Sequence, residues 1–342
     1  MDQSSFQSGT VFSSSSGKVL VGWGKRVWLE KPVPNQLCFY FPDFFLQSVK
    51  PWCIHEHWEE ISIHECISSI HVNFAPTLNW SAPNFKHFKE MFQDLQVCLQ
   101  TEELKKGVPF SVQSAKGMMD MHRLKHCLMN ALQYASKNRV HLYGFWEHGE
   151  GILGATPEIL FSIKDQVLES AAVAGTTRLE TNDLDFLRDP KENEEHQFVV
   201  EELQQSLAYF GQVRVNQKQI LRLANLSHLY TRFEVDLKKR AHFEEIVKQL
   251  HPTPALGAYP RSAALKWMSS FEQAINRKRF GAPVGYVLGE VAKCFVAIRN
   301  IQWSLEQIEI FAGCGVVKQS IFDLEWSEIL LKMESIRKVF SI

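Results

Sequence analysis

Residues 154–178 read GATPEILFSIKDQVLESAAVAGTTR, and the rest of the chain is organised around this stretch. Ile159, Phe161 and Ile163 alternate with Glu158, Leu160 and Ser162, which is the period of a strand. A polar turn at Lys164-Asp165 separates this strand from residues 167–173, which are apolar enough to pair back onto it. Pro157 cannot donate to a ladder, so it belongs at the strand's entrance, where it delivers Glu158 at a fixed angle. Ala174-Gly175-Thr176-Thr177 then reads as a small-residue loop that lets backbone come close to a ligand. A carboxylate facing a Gly-Thr loop is a candidate site. The plainer alternative is a surface hairpin with an exposed glutamate.

Working outward, the chain has 342 residues, 45% of them hydrophobic and 22% charged, enough for a large globular core. The net charge of −1 gives no electrostatic case for nucleic acid or an anionic membrane, and no apolar run approaches a membrane span. Seven scattered cysteines with no CxxC pair point to buried thiols in a reducing compartment, the cytoplasm. The Ser-rich start, MDQSSFQSGTVFSSSSGK, lacks a basic head and apolar core, so residues 1–16 read as a flexible polar leader.

Residues 17–100 are rich in aromatic and β-branched runs broken by Gly and Pro, hence sheet. His55, Glu56, His57, His64 and Glu65 invite a metal reading, but their spacing is not HExxH, and edge histidines are the simpler account. Phe85, Phe88, Phe92 and Leu95 predict a helix within 84–104, and Leu124, Leu128, Ala131, Leu132 and Ala135 predict another. Between them, Lys106 shares a strand face with Leu104, Val108 and Phe110, so it either snorkels or is desolvated.

Residues 183–202 are acidic, and Pro190 suits a helix start. Glu195 falls on the helix stripe of Val199, Leu203, Leu207 and Phe210, and a carboxylate on a buried face needs a cation, a donor or a metal. His228 sits amid apolar strand residues in 225–237, and a helix follows over 241–250. The loop HPTPALGAYPR, residues 251–261, presents Arg261 at the first turn of a new helix. Residues 281–288 and 293–302 read as strands, with Arg299 interrupting an apolar face where a planar oxyanion would pair with it. Residues 308–312 run into Gly313-Cys314-Gly315, whose N–H groups can form an anion cradle. The last helix, 322–340, carries Glu325, Glu328 and Lys332 on or beside its apolar stripe, and the plain reading of Glu328 and Lys332 is an i,i+4 pair.

Taken in order, Lys106, TPE (156–158), AGT (174–176), KxxxEH (191–196), HPTPA and PR (251–261), GAPVGY (281–286), AxR (297–299), AGxG (312–315) and ExxExxxK (325–332) form a pattern. It resembles the chorismate-utilising enzymes: isochorismate synthase, salicylate synthase, and the large subunits of anthranilate and aminodeoxychorismate synthase. The likeness covers about residues 100–342 and is closest to isochorismate synthase.

The resemblance implies an α+β fold of two large antiparallel sheets packed face to face with helices outside. It implies one chorismate-binding domain over 17–342, divergent over 17–100, in a monomer or homodimer. It also implies chorismate as substrate and one magnesium held by Glu195 and Glu328, with Glu192 and Glu325 as adjoining or alternative ligands. Lys332, Arg299 and the backbone of Gly313, Cys314 and Gly315 would hold the substrate carboxylates, with Tyr286 in reach. Gly175 and Thr176 would line the ring pocket, with His228 near the reacting face. Lys106 would be the general base that activates water, and an apolar strand face favours a lysine giving up its proton. Glu158 would be the general acid that protonates the departing hydroxyl.

Ala174 stands where aminodeoxychorismate synthases carry a nucleophilic lysine, which argues against covalent catalysis there. Gly107, Asn193 and Cys314 depart from residues common at those positions. Salicylate synthase, an anthranilate synthase-like amination and a non-catalytic homologue are the alternatives. The pathway served (menaquinone, siderophore or salicylate) stays open.

Overall fold

The hairpin at the centre of the chain forms from Ile159–Lys164 and Val167–Arg178 in a computed structural model that describes residues 6–72, 78–222, 226–239, 241–272 and 275–342. Its turn lies one residue later than the sequence suggested, at Asp165-Gln166, where both residues have positive φ (52° and 61°). That pair of conformations matches the twist of a two-residue hairpin. The expected loop at Ala174–Thr177 is instead part of the strand. Pairing with Leu226–Leu237 continues on both sides of Gly175, which forms a bulge between Ala174 and Thr176. Asn225, the expected start of that partner strand, lies outside the described residues.

Among the described residues every strand pairing is antiparallel, and one hydrogen-bonded path links fifteen strands, with a sixteenth, Gln219–Arg222, pairing beside it onto Leu226–Leu237. It runs from Gly211–Val215 through Leu226–Leu237, Val167–Arg178, Ile159–Lys164, Val291–Val296 and Pro283–Leu288 to Cys38–Tyr40. It continues through Trp52–Ser62, Lys18–Leu29, Ser8–Ser13, His141–Glu147, Glu150–Thr156, Asn300–Ser304 and Gln307–Gly313 to Phe110–Lys116. A twisted sheet of this length folds over on itself. Phe12 of Ser8–Ser13 stacks 6.1 Å from Phe295 of Val291–Val296, although these strands are far apart along the path. The two halves therefore face each other across a core of Phe12, Phe39, Phe41, Tyr143, Tyr286 and Phe295. Helices cover the outside over a second, larger core, giving the expected α+β class.

Three expectations change. Ser8–Ser13 pairs on both sides, with Lys18–Leu29 and His141–Glu147, so the flexible leader does not extend over residues 8–13; residues 1–5 lie outside the described residues. Phe12 is fully buried, and this burial is what anchors the segment. Residues 293–302 are two strands, broken at Arg299, whose φ is 55°. The histidines of 52–66 diverge: His55 is buried and bonded to Thr10 and the Arg26 guanidinium, while His57 is exposed beside Glu56.

The helices that carry the site are well specified locally. Asp189 caps Pro190–Ala208 by accepting from the Glu192 N–H, with Pro190 in the first turn. Phe322–Phe340 buries Ile329, Met333, Ile336 and Phe340 and ends on left-handed Ser341.

Candidate active site

A cavity of about 660 Å³, counting its mouth, opens where the hairpin, the two acidic helices and the Gly-rich turn meet. Its polar wall contains Glu158, Thr176, Glu195, His228, Arg299 and Lys332, with the backbone of Gly313 and Gly315. Leu256, Phe280, Ile298, Phe311 and Ile336 supply the larger side chains of its apolar part. One charged rim over an apolar floor suits a small anionic ring compound.

Glu158 follows Pro157 at the strand's entrance, as the sequence implied, but it is buried and not on the surface. Its N–H donates to Thr156 Oγ1 at 3.1 Å, which fixes its backbone. Burial pushes its carboxyl up to about 7, and the Lys106 and Lys332 charges only partly oppose this. A buried carboxyl that holds its proton near neutrality is a proton donor.

Lys106 lies in a two-residue strand, Lys106–Gly107, paired with Ala258–Tyr259, and is fully buried. Of the two outcomes the sequence left open, snorkelling and desolvation, the second holds, and the buried Nζ lies 3.0 Å from Glu195 Oε1. Burial alone would raise the Glu195 carboxyl, but Lys106 and Lys191 outweigh that and hold it well below the usual carboxylate range. Glu195 fits here because Gly315 has no side chain; a Cβ at that position would collide with its carboxylate.

Glu192 and Glu325 share Lys191, whose Nζ is 3.1 Å from Glu192 Oε1 and 2.7 Å from Glu325 Oε1. Glu328 pairs with Lys332 at 2.6 Å, and Lys332 also donates to the Gly313 carbonyl at 2.7 Å. This i,i+4 pair is mostly buried and not on a solvated face, and its Lys332 end lines the cavity. Burial raises both Glu192 and Glu325, reinforced by repulsion from Glu195 at the first and from Glu328 at the second. Among the described residues, no three carboxylate, imidazole or thiol groups converge as a ligand set. Even so, carboxylates that raise one another are hard oxygen donors short of positive charge, and that chemistry fits a divalent cation.

Other expected residues fall as follows. His228 and Thr176 meet at 3.1 Å across the bulge, and burial with Arg299 holds the imidazole down at about 3, hence neutral. Arg299 reaches the cavity from its left-handed turn, not from a strand face. Gly175 supplies the bulge; a Cβ there would lie 2.9 Å from the Glu192 carbonyl. Tyr286 does not reach the site: it packs on Phe12 at 5.9 Å and its hydroxyl donates to the Ser14 carbonyl at 3.4 Å. Pairing of its strand with Cys38–Tyr40 and Val291–Val296 aims it into the core between the two halves. Cys314 is buried, and its N–H is taken by the Pro109 carbonyl at 3.3 Å, so it is spent within the fold. Arg261 donates to the carbonyls of Lys248, Gln249 and His251, closing the end of helix Phe243–Leu250; only Ala255 and Leu256 of its loop line the cavity.

Lys191 and His196 lie in the KxxxEH block but carried no role in the sequence reading. Their i,i+4 relation to Glu195 and Glu192, respectively, was the available signal.

A family profile described as "Chorismate binding enzyme" matches residues 52–341. Over 202 residues the chain is 35% identical to the Pseudomonas aeruginosa protein named "Salicylate biosynthesis isochorismate synthase". That match covers 55% of this chain and 42% of that protein, so the chain spans less than half the length of this curated relative. The fold is similar to that of MenF, described as the menaquinone-specific isochorismate synthase from Escherichia coli, with a TM-score of 0.83 at 19% identity, over 99% of this chain and 91% of that one. It is also similar to anthranilate synthase component I from Streptococcus pneumoniae, with a TM-score of 0.77 at 15% identity over 95% and 93%. With that profile running through both the sheets and the cavity, the chain belongs to the chorismate-binding enzyme family.

Proposed function

We propose that the protein is an isochorismate synthase, adding water at ring carbon 2 of chorismate and expelling the 4-hydroxyl. The observation that carries this reading is Glu158, a buried carboxyl on the cavity wall whose proton is held to about pH 7. A leaving hydroxyl needs such a donor.

Arg299 and Lys332 bind the substrate carboxylates, and Thr176 and His228 border the ring. Lys106 acts as the neutral amine, after its own proton has passed to solvent, and takes a proton from the attacking water as its oxygen bonds to carbon 2. Glu158 gives a proton to the 4-hydroxyl as its carbon–oxygen bond breaks and the double bonds shift. One water enters and one leaves, so product and substrate are isomers. Ala174, at 6% exposure, offers no nucleophile on the cavity wall, in keeping with direct water attack.

Glu195 and Glu328, with Glu192 and Glu325 beside them, would hold magnesium. When bound it would neutralise the substrate's ring carboxylate and compete with Lys106 for the Glu195 carboxylate.

Incubation with chorismate, with and without magnesium, followed by chromatography, tests the reading. Magnesium-dependent isochorismate supports it. Salicylate with pyruvate as the final products would assign salicylate synthase instead, and no turnover would reject both.

A further inference from the structure

The bulge at Gly175 is held from outside by one helix. The two backbone groups that flank it, the Ala174 carbonyl and the Thr176 N–H, are each engaged by a side chain of Pro190–Ala208. Glu192 Oε2 accepts from the Thr176 N–H at 2.6 Å. His196, one turn further on, lies with Nδ1 3.2 Å from the Ala174 carbonyl oxygen and Nε2 2.8 Å from Thr231 Oγ1.

The partners decide the tautomer. A carbonyl only accepts, so Nδ1 carries the proton, and Nε2 accepts from the Thr231 hydroxyl. Thr231 belongs to the strand Leu226–Leu237 that pairs across the bulge. His196 is 2% exposed, so its ring has no room to turn or exchange these partners for water. One imidazole therefore ties the helix to both strands of the pair.

This bears on the cavity because the residues on either side of the bulge, Ala174 and Thr176, both line it, while Gly175 between them drops out of the pairing. Glu195, also on the wall, is the residue immediately before His196. The bulge, Thr176 with its His228 partner, and the helix carrying Glu195 are thus positioned by a common set of bonds.

We infer that His196 is a positioning residue: acting through the Ala174 carbonyl and the Thr231 hydroxyl, it sets the bulge that shapes the ring-binding wall. The substrate side of this inference rests on the isochorismate synthase reading.

Three variants test it: His196→Leu, His196→Asn and Thr231→Val. Asparagine places an N–H donor near the position of Nδ1, so it keeps the bond to Ala174. The first readout is amide hydrogen exchange at Gly175 and Thr176, which needs no substrate. The second is the split between KM for chorismate and kcat.

The expected result for His196→Leu is fast exchange confined to the bulge and a KM raised about tenfold, the weight of one lost buried hydrogen bond, with kcat within about threefold. His196→Asn should restore most of both. An unchanged KM in folded His196→Leu, or a loss that His196→Asn does not rescue, would overturn the inference. If His196→Leu does not fold, Thr231→Val carries the test: a raised KM supports the clamp and an unchanged one overturns it. Should the wild-type protein fail to convert chorismate, the proposed function falls, while exchange at Gly175 and Thr176 still decides whether His196 holds the bulge.

Discussion

Glu195 Oε1 and Lys106 Nζ are 3.0 Å apart, with both residues buried, so each is the other's counter-charge at the edge of the cavity, largely removed from bulk solvent. Removing one partner of such a pair leaves an uncompensated charge and costs about 3–5 kcal/mol. Lys106→Met is therefore expected to lower stability by that order in urea unfolding and to abolish water addition. The Glu195 carboxyl is held below its ordinary value of 4.5. Its contribution to stability is present above about pH 4.5 and is lost as pH falls further. Lys106→Met should flatten that acid limb.

Glu158 behaves in the opposite sense. Its folded value is raised to about 7, so it favours the folded state most below its ordinary 4.5 and loses that contribution as pH rises through 7. Turnover should fall above about pH 7 as one proton leaves. Glu158→Gln should lose about 10²–10⁴ in kcat while becoming more stable than wild type at pH 8. Denaturation at pH 6 and pH 8 checks the sign.

Gly315→Ala would drive a methyl group into the Glu195 carboxylate. Overpacking of this kind costs about 1–3 kcal/mol. The larger effect is expected on activity, because the carboxylate must leave Lys106. Stability and chorismate turnover, measured side by side, should show activity falling well beyond the loss in stability.

Lys191 supplies positive charge to both Glu192 and Glu325. Lys191→Met is expected to destabilise the protein in metal-free buffer, where the carboxylates repel. Added magnesium should recover more stability in this variant than it adds to wild type. Thermal unfolding with and without magnesium measures the difference, and equal gains would mean that magnesium does not bind among these carboxylates.

Tyr286→Phe is the contrasting case. Its hydroxyl makes one long bond to the Ser14 carbonyl, 3.4 Å, in the core between the sheet halves. The loss should be about 0.5–1.5 kcal/mol of stability, with KM for chorismate unchanged in steady-state kinetics.

The ordering of blocks along the chain made most of the site legible. Glu195 on an apolar helix stripe announced a buried charge in search of a partner, while Lys106 on an apolar strand face left snorkelling and desolvation open. What the pattern could not supply was the partner, because these two lie 89 positions apart in the chain, and only tertiary packing brings them together. Tyr286 misled for the same reason: its block adjoins the site in sequence order, but sheet pairing aims its ring the other way. Arg299 reached the cavity by a left-handed turn that alternation alone did not reveal.

Local sequence by itself determined the hairpin, the helix starting at Pro190 and the long C-terminal helix, since periodicity, proline and caps act within a few residues; the antiparallel α+β class came from the family resemblance. The tertiary structure alone decided which carboxyls keep their protons. Glu158 is pushed up and Glu195 is held down, although both are buried glutamates, because Glu195 has an ammonium at 3.0 Å and Glu158 feels its lysines only as a partial offset to burial. Distance to charge across the fold, not residue type, sets that difference.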